Sequence, residues 1–170
     1  FYEHADSIIV DHDRWIGALY YKIIPVKSGK NTYYTLFGWN ANNLLSNKKI
    51  IDVLWFDETG KPKFGYPMFD MLKGKGPSRI IFEYKKDATL SLTYIPEEST
   101  IYYDHLVPLS GKTGEFNFDL VPDGTLEGFK LQKGRWKQIE MIDYEKREDG
   151  EAPNVVKEPT QPLYQPLPPR

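Results

Sequence analysis

Lys27-Ser28-Gly29-Lys30-Asn31 separates two aromatic and β-branched runs, Trp15 to Val26 and Thr32 to Trp39. Gly29 and Asn31 tolerate positive φ at little cost, so the two runs read as the arms of a β-hairpin. The same grammar continues outward. Lys49 to Phe56 leads through Asp57-Glu58-Thr59-Gly60-Lys61-Pro62 into Lys63 to Phe69, again strand, Gly-containing turn and strand. The Asn-rich stretch Asn40 to Asn47 between the hairpins reads as a loop with room for one helical turn.

Arg79 to Tyr84 and Leu90 to Tyr94 read as a further pair joined across Lys85 to Thr89. Ile80, Phe82 and Tyr84 form the face expected to be buried. Leu90, Leu92 and Tyr94 alternate with Ser91 and Thr93, the clearest period-two pattern in the chain. Ile101 to Val107, a shorter Glu115 to Leu120, and Gly128 to Leu131 turning through Lys133-Gly134 into Trp136 to Ile142 complete about ten strands. The expected fold class is all-β, an antiparallel meander forming a barrel or a two-layer sandwich, since wide open sheets leave vulnerable edges.

The composition changes beyond Asp143. Tyr144 to Gly150 is charged, and Pro153, Pro159, Pro162, Pro166, Pro168 and Pro169 punctuate the rest. Prolines remove backbone donors and favour polyproline II, so the expected division is a β domain over 1–143 and an extended, proline-rich tail over 144–170. Leu163, Tyr164 and Leu167 are the expected anchors of that tail, on the domain itself or, as the preferred reading, on a partner. The chain opens at Phe1 without a methionine or a signal-like segment, which reads as a processed or partial protein.

The formal net charge is −2 over 170 residues, and Lys and Arg are scattered along the chain, which argues against nucleic acid as a partner. No apolar run approaches the ~18 residues of a membrane helix. Cysteine is absent, so disulfides, thiol catalysis and cysteine zinc sites are excluded together.

The three histidines, His4, His12 and His105, lack metal-binding spacing, so no metal and no cofactor is expected. Asp104-His105 with Ser110 has the residue types of a hydrolytic triad but no nucleophile elbow, and His105 reads as a half-buried strand residue bonded to a neighbour. Asp52 with Glu83 or Asp104 could form a carboxylate pair, although strand carboxylates mostly mark a solvent face. Gly74-Lys75-Gly76-Pro77-Ser78 lacks phosphate-loop spacing and reads as a strand connection. The catalytic residues expected are therefore none.

The aromatic share is 15%. Trp39, Trp55, Tyr66 and Trp136 are the candidates for a contact surface toward protein, or for a platform on which sugar rings stack, with core packing as the plain alternative.

Tyr33-Tyr34-Thr35-Leu36-Phe37-Gly38-Trp39-Asn40, continued by Lys48 to Asp57 and Pro62-Lys63-Phe64-Gly65, resembles a family of uncharacterised exported proteins of Bacteroidota. Arg79 to Tyr84 and Tyr103-Asp104-His105-Leu106-Val107-Pro108 extend the resemblance over about Ile16 to Asp143, without the tail. It implies a periplasmic or outer-membrane-associated location in bacteria that use type IX secretion, and it transfers no catalytic residues. The expected role is a non-enzymatic subunit or accessory of an envelope complex acting through protein contacts. The competing expectation is a carbohydrate-binding module.

Overall fold

The computed structural model describes residues 4–111 and 117–142, and the tail anchors Leu163, Tyr164 and Leu167 lie outside them. The strands are β1 (Val10–Asp11), β2 (Leu19–Ser28), β3 (Asn31–Asn40), β4 (Ser46–Phe56), β5 (Pro62–Phe64), β6 (Phe69–Asp70), β7 (Ile80–Lys85), β8 (Leu92–Ile95), β9 (Thr100–Pro108), β10 (Leu120–Gln132) and β11 (Arg135–Ile142). The one helical element among the described residues is a 3-10 turn at Asn117–Asp119.

Two sheets result. The first runs β1-β5-β4-β3-β2, with β7 also on β4, and the second runs β6-β11-β10-β9-β8. No pairing among the described residues joins one sheet to the other, so they do not close into a barrel. They share one core in which Ile24, Val26, Tyr33, Phe37, Ile51 and Val53 of the first sheet meet Leu92, Ile101, Tyr103, Phe129 and Trp136 of the second. Trp136 is fully enclosed, and its indole N–H donates across the core to Thr35 Oγ1 at 2.8 Å. That bond satisfies both buried polar groups, as such a core requires.

The opening hairpin forms as expected, with a tighter turn. Ser28 pairs with Asn31, leaving Gly29 and Lys30 as the loop. Gly29 takes φ 61° and Lys30 does not take positive φ, the pattern of a type II′ turn.

Four expectations are corrected. Lys63 to Phe69 is not one strand, because Gly65 turns the backbone to φ 88° and hands the chain from β5 in one sheet to β6 in the other. The β6 strand then lies parallel to β11, so the meander is not wholly antiparallel. Arg79 to Tyr84 and Leu90 to Tyr94 do not pair with each other: β7 joins β4 and β8 joins β9. Finally, Asn117–Asp119 is a 3-10 turn rather than strand, and Leu120 begins a long β10 that already contains the Gly128 to Leu131 run.

Candidate functional site

Side chains on neighbouring paired residues share a face, and successive residues alternate. Along β4, Ile51, Val53 and Trp55 point into the core. Ile50, Asp52, Leu54 and Phe56 therefore point to the outer face of the first sheet. Register places Leu36 beside Asp52, Tyr34 beside Leu54, Ile23 beside Leu36 and Pro25 beside Tyr34 on that face. Phe64 of β5 is opposite Leu54.

This outer face is divided in two. Over one half lies the chain's own segment before β2, where Ala5 and Ile16 are buried against Ile50, with Ala18 and Ile81 packed alongside. A buried polar clasp fixes the segment. Arg79 and Asp52 are both completely enclosed, with Nε of Arg79 3.1 Å from Oδ1 of Asp52. Arg79 Nη1 donates to the carbonyls of Ala5 and Ile8, the latter at 2.8 Å, and Ser78 and Arg79 N–H both donate to Asp6 O. Tyr20 Oη donates to Asp52 Oδ2 at 3.0 Å. Burial, then the adjacent Asp52 charge and its hydrogen bond, push the Tyr20 phenol far above its ordinary value, so it stays a donor.

Two glycines make room for the clasp. A Cβ at Gly65 would lie 2.5 Å from Arg79 Nη2 and 2.7 Å from Ile8 O. A Cβ at Gly38 would lie 2.9 Å from the Tyr20 ring.

The other half is bare among the described residues. Ile23 is 61% exposed and Phe56 52%, with Tyr34 and Leu54 half-buried between them. Tyr34 and Phe56 meet edge to face at 6.3 Å, and Trp15, 41% exposed, borders the patch against Tyr20 and Phe64 at 5.7 and 6.1 Å. Pro25, Leu54 and Ile23 bring no side-chain hydrogen-bonding group. Contiguous apolar area of this kind marks contact surfaces.

The aromatic set singled out in the sequence falls elsewhere. Trp136 is core, and this corrects its candidacy as a contact residue. Trp55 is partly buried against the core and its indole N–H donates to Gly65 O at 3.0 Å. Tyr66 packs 4.4 Å from the ring of Tyr33. Trp39, half-buried between Leu19 and Lys49, shares the inward side of β3 with Tyr33 and Phe37. These four do not make a common exposed platform. The aromatics that do share an outer face, Trp15, Tyr34, Phe56 and Phe64, could have been found from β4, whose two alternating residue sets are both apolar beyond Asp52.

The polar candidates resolve into structural partnerships. His105 Nδ1 lies 3.0 Å from Glu127 Oε1 and Nε2 lies 4.0 Å from Asp123 Oδ2, so His105 turns toward β10 rather than toward Asp104. Asp104 accepts the Ser91 N–H at 2.6 Å. Burial raises its carboxyl above the ordinary range, opposed by that hydrogen bond and by Lys49. Ser110 N–H donates to Asp119 in the turn after β9. Asp52 is committed to Arg79, and Glu83 accepts Ser46 Oγ at 2.6 Å and pairs with Lys48 at 3.4 Å. Among the described residues no group of His, Asp and Glu side chains could hold a metal ion, and no helix is long and apolar enough to cross a membrane.

Comparison with protein-family models, with curated proteins and with solved structures returns no match in any of the three.

Proposed function

We propose that this domain is a non-catalytic contact module, a subunit or accessory of a larger bacterial envelope assembly, and that the bare half of the first sheet's outer face is where it holds its neighbour. One observation carries the reading. A single sheet face is half covered by the chain's own segment and half left apolar, with Ile23 and Phe56 more than half exposed at its flanks. The envelope location rests on the family resemblance alone. The two-layer sandwich suits the role, because a rigid sheet presents a flat face whose side chains are already ordered and lose little freedom on binding.

Sugar recognition is the weaker reading. The patch offers aromatic rings but surrounds them with Pro25, Ile23 and Leu54, whereas a sugar needs aligned hydrogen-bonding side chains beside each ring.

The test is mild affinity purification of the protein from its source membranes, comparing the native chain, an Ile23→Lys/Phe56→Glu variant and a chain lacking residues 151–170. The reading expects partners that co-purify with the native chain and are lost from the face variant. Truncation should reduce the yield if Leu163, Tyr164 and Leu167 act as accessory anchors. A native chain that purifies alone, but binds a glycan array, would replace the reading with the sugar-binding one.

A further inference from the structure

Strand β2 is the outermost strand of the first sheet, ten residues long, and among the described residues nothing pairs with its outer edge. The register shows which backbone groups face outward. Ser28 and Asn31 close the two-residue turn, so Ser28/Asn31, Val26/Tyr33 and Ile24/Thr35 are the hydrogen-bonded pairs. Pro25, with no N–H, falls opposite Tyr34 at a non-bonded position, as an edge strand permits. Ile23 and Pro25 therefore turn their carbonyls, and Ile23 its N–H, away from the sheet. This open stretch is short. A bulge at Tyr21 bounds it on one side, and on the other the β10–β11 turn comes so close that a Cβ at Gly134 would lie 2.6 Å from Lys27 O.

The approach of Gly134 also brings charge together from opposite sheets. Lys27 precedes the β2–β3 turn and Lys30 lies in it, Lys133 precedes Gly134, and all three are exposed, as is Lys22 on the open edge. The chain is net negative, yet it contains no acidic residue from Ile16 to Ile51 or from Gly128 to Ile139. The scattered lysines of the linear sequence become a cationic corner once the two hairpins meet. Exposed Leu19 and Ile23 lie along the same edge.

We infer that this edge, from Lys22 to the corner at Gly134, docks an extended acidic polypeptide segment of a partner protein. The segment adds main-chain hydrogen bonds at Ile23 and Pro25, and its carboxylates are read by Lys22, Lys27, Lys30 and Lys133. The inference rests on the protein-contact reading above and names the partner's chemistry. Strand addition supplies backbone bonds while side-chain alternation supplies specificity. Complementary charge speeds encounter and excludes wrong partners. A second copy of this chain is disfavoured at the same place, since antiparallel self-pairing sets lysine-bearing edges against each other.

The test uses the full chain with three ten-residue synthetic probes in which Val-Val pairs alternate with Glu-Glu, Ser-Ser or Lys-Lys pairs, so that both faces of the added strand carry the test side chain. Phosphatidylserine vesicles and a DNA duplex serve as other polyanions. The Glu probe should bind at least about tenfold more tightly than the Ser probe and weaken about tenfold or more in high salt, because exposed charges are screened. It should also slow amide exchange at Ile23. A Lys22→Glu/Lys27→Glu/Lys30→Glu/Lys133→Glu variant, whose changes are all at exposed positions, should reverse the preference toward the Lys probe. Equal binding of the Glu and Ser probes, protection confined to other strands, or tighter binding to vesicles or DNA than to the Glu probe would overturn the inference. If the face variant loses its partners while the lysine reversals keep them, this inference fails and the contact reading stands.

Discussion

The two halves of the first sheet's outer face are built from the same strands, β2, β3 and β4, with the same alternation, yet they have opposite fates. Around Ile50, Gly38 and Asp52 the face is sealed by the segment before β2 and locked by Arg79. Around Ile23, Tyr34, Leu54 and Phe56 it is open. The sealed half shows what closes an apolar face within one chain: Gly38 leaving room beneath, a strap above, and a buried ion pair whose Arg79 Nη1 donates to strap carbonyls and whose Asp52 Oδ2 accepts the Tyr20 hydroxyl. The open half has apolar side chains but none of the strap. Its residues should therefore matter little to folding and much to association.

The largest expected effect lies in the sealed half. Arg79→Met leaves Asp52 enclosed without its cation, and breaking one side of a buried pair costs about 3–5 kcal/mol. Urea unfolding would measure it, and a loss below about 1 kcal/mol would show that the clasp does not hold the strap. Gly65→Ala comes next. It demands φ 88° of an alanine and drives its Cβ into Arg79 Nη2 and Ile8 O. A strained backbone of this sort costs about 1–3 kcal/mol, and the loss should shrink in an Arg79→Met background if the two act on one clasp.

These glycine and arginine roles explain how far the sequence could be read. The β2–β3 and β10–β11 hairpins were legible because local turn chemistry, Gly29 and Gly134, fixes them. The β7 and β8 partners were not, because Ile80-Phe82-Tyr84 and Leu90-Leu92-Tyr94 carry the same alternation whichever sheet they join. Gly65 looked like one more strand residue, and only its place over Arg79 reveals the crossover. For the candidate site, alternation told which residues share a face but not which face is inside. The ring of Trp136 is thus a candidate for a surface it does not reach, and Trp55 turns to the inner side of its sheet, whereas Tyr34 and Phe56 hold the outer one. The cationic corner was invisible for a different reason: Lys27 and Lys133 are far apart in the chain and adjacent only in the fold.

A smaller, pH-dependent effect separates the two sheets. Burial raises the Asp104 carboxyl in the folded protein, so the folded state holds its proton more tightly than the unfolded chain. Stability linked to this group is therefore present at acid pH and declines as pH rises from the ordinary carboxylate value through the raised one. Asp104→Asn should remove that decline, raising stability slightly at neutral pH and leaving it unchanged near pH 3. Thermal unfolding across that range would show it, and a loss of stability at neutral pH would mean that the carboxylate's bond to Ser91 outweighs its desolvation.

The smallest effect on stability belongs to the open half. Ile23→Thr and Phe56→Ser should each shift stability by no more than about 0.5 kcal/mol, the usual range for exposed positions. A large loss in urea unfolding at either position would place these side chains in the core and dissolve the contrast between the halves.

Hydroxyl-radical footprinting of the native protein, free and in complex with the partner that the proposed contact role requires, tests the division of the face most directly. The account predicts that Ile23, Tyr34 and Phe56 oxidise readily in the free chain and become protected in the complex, while Ile50 stays unreactive in both. Unchanged reactivity of all three between the two states would contradict it.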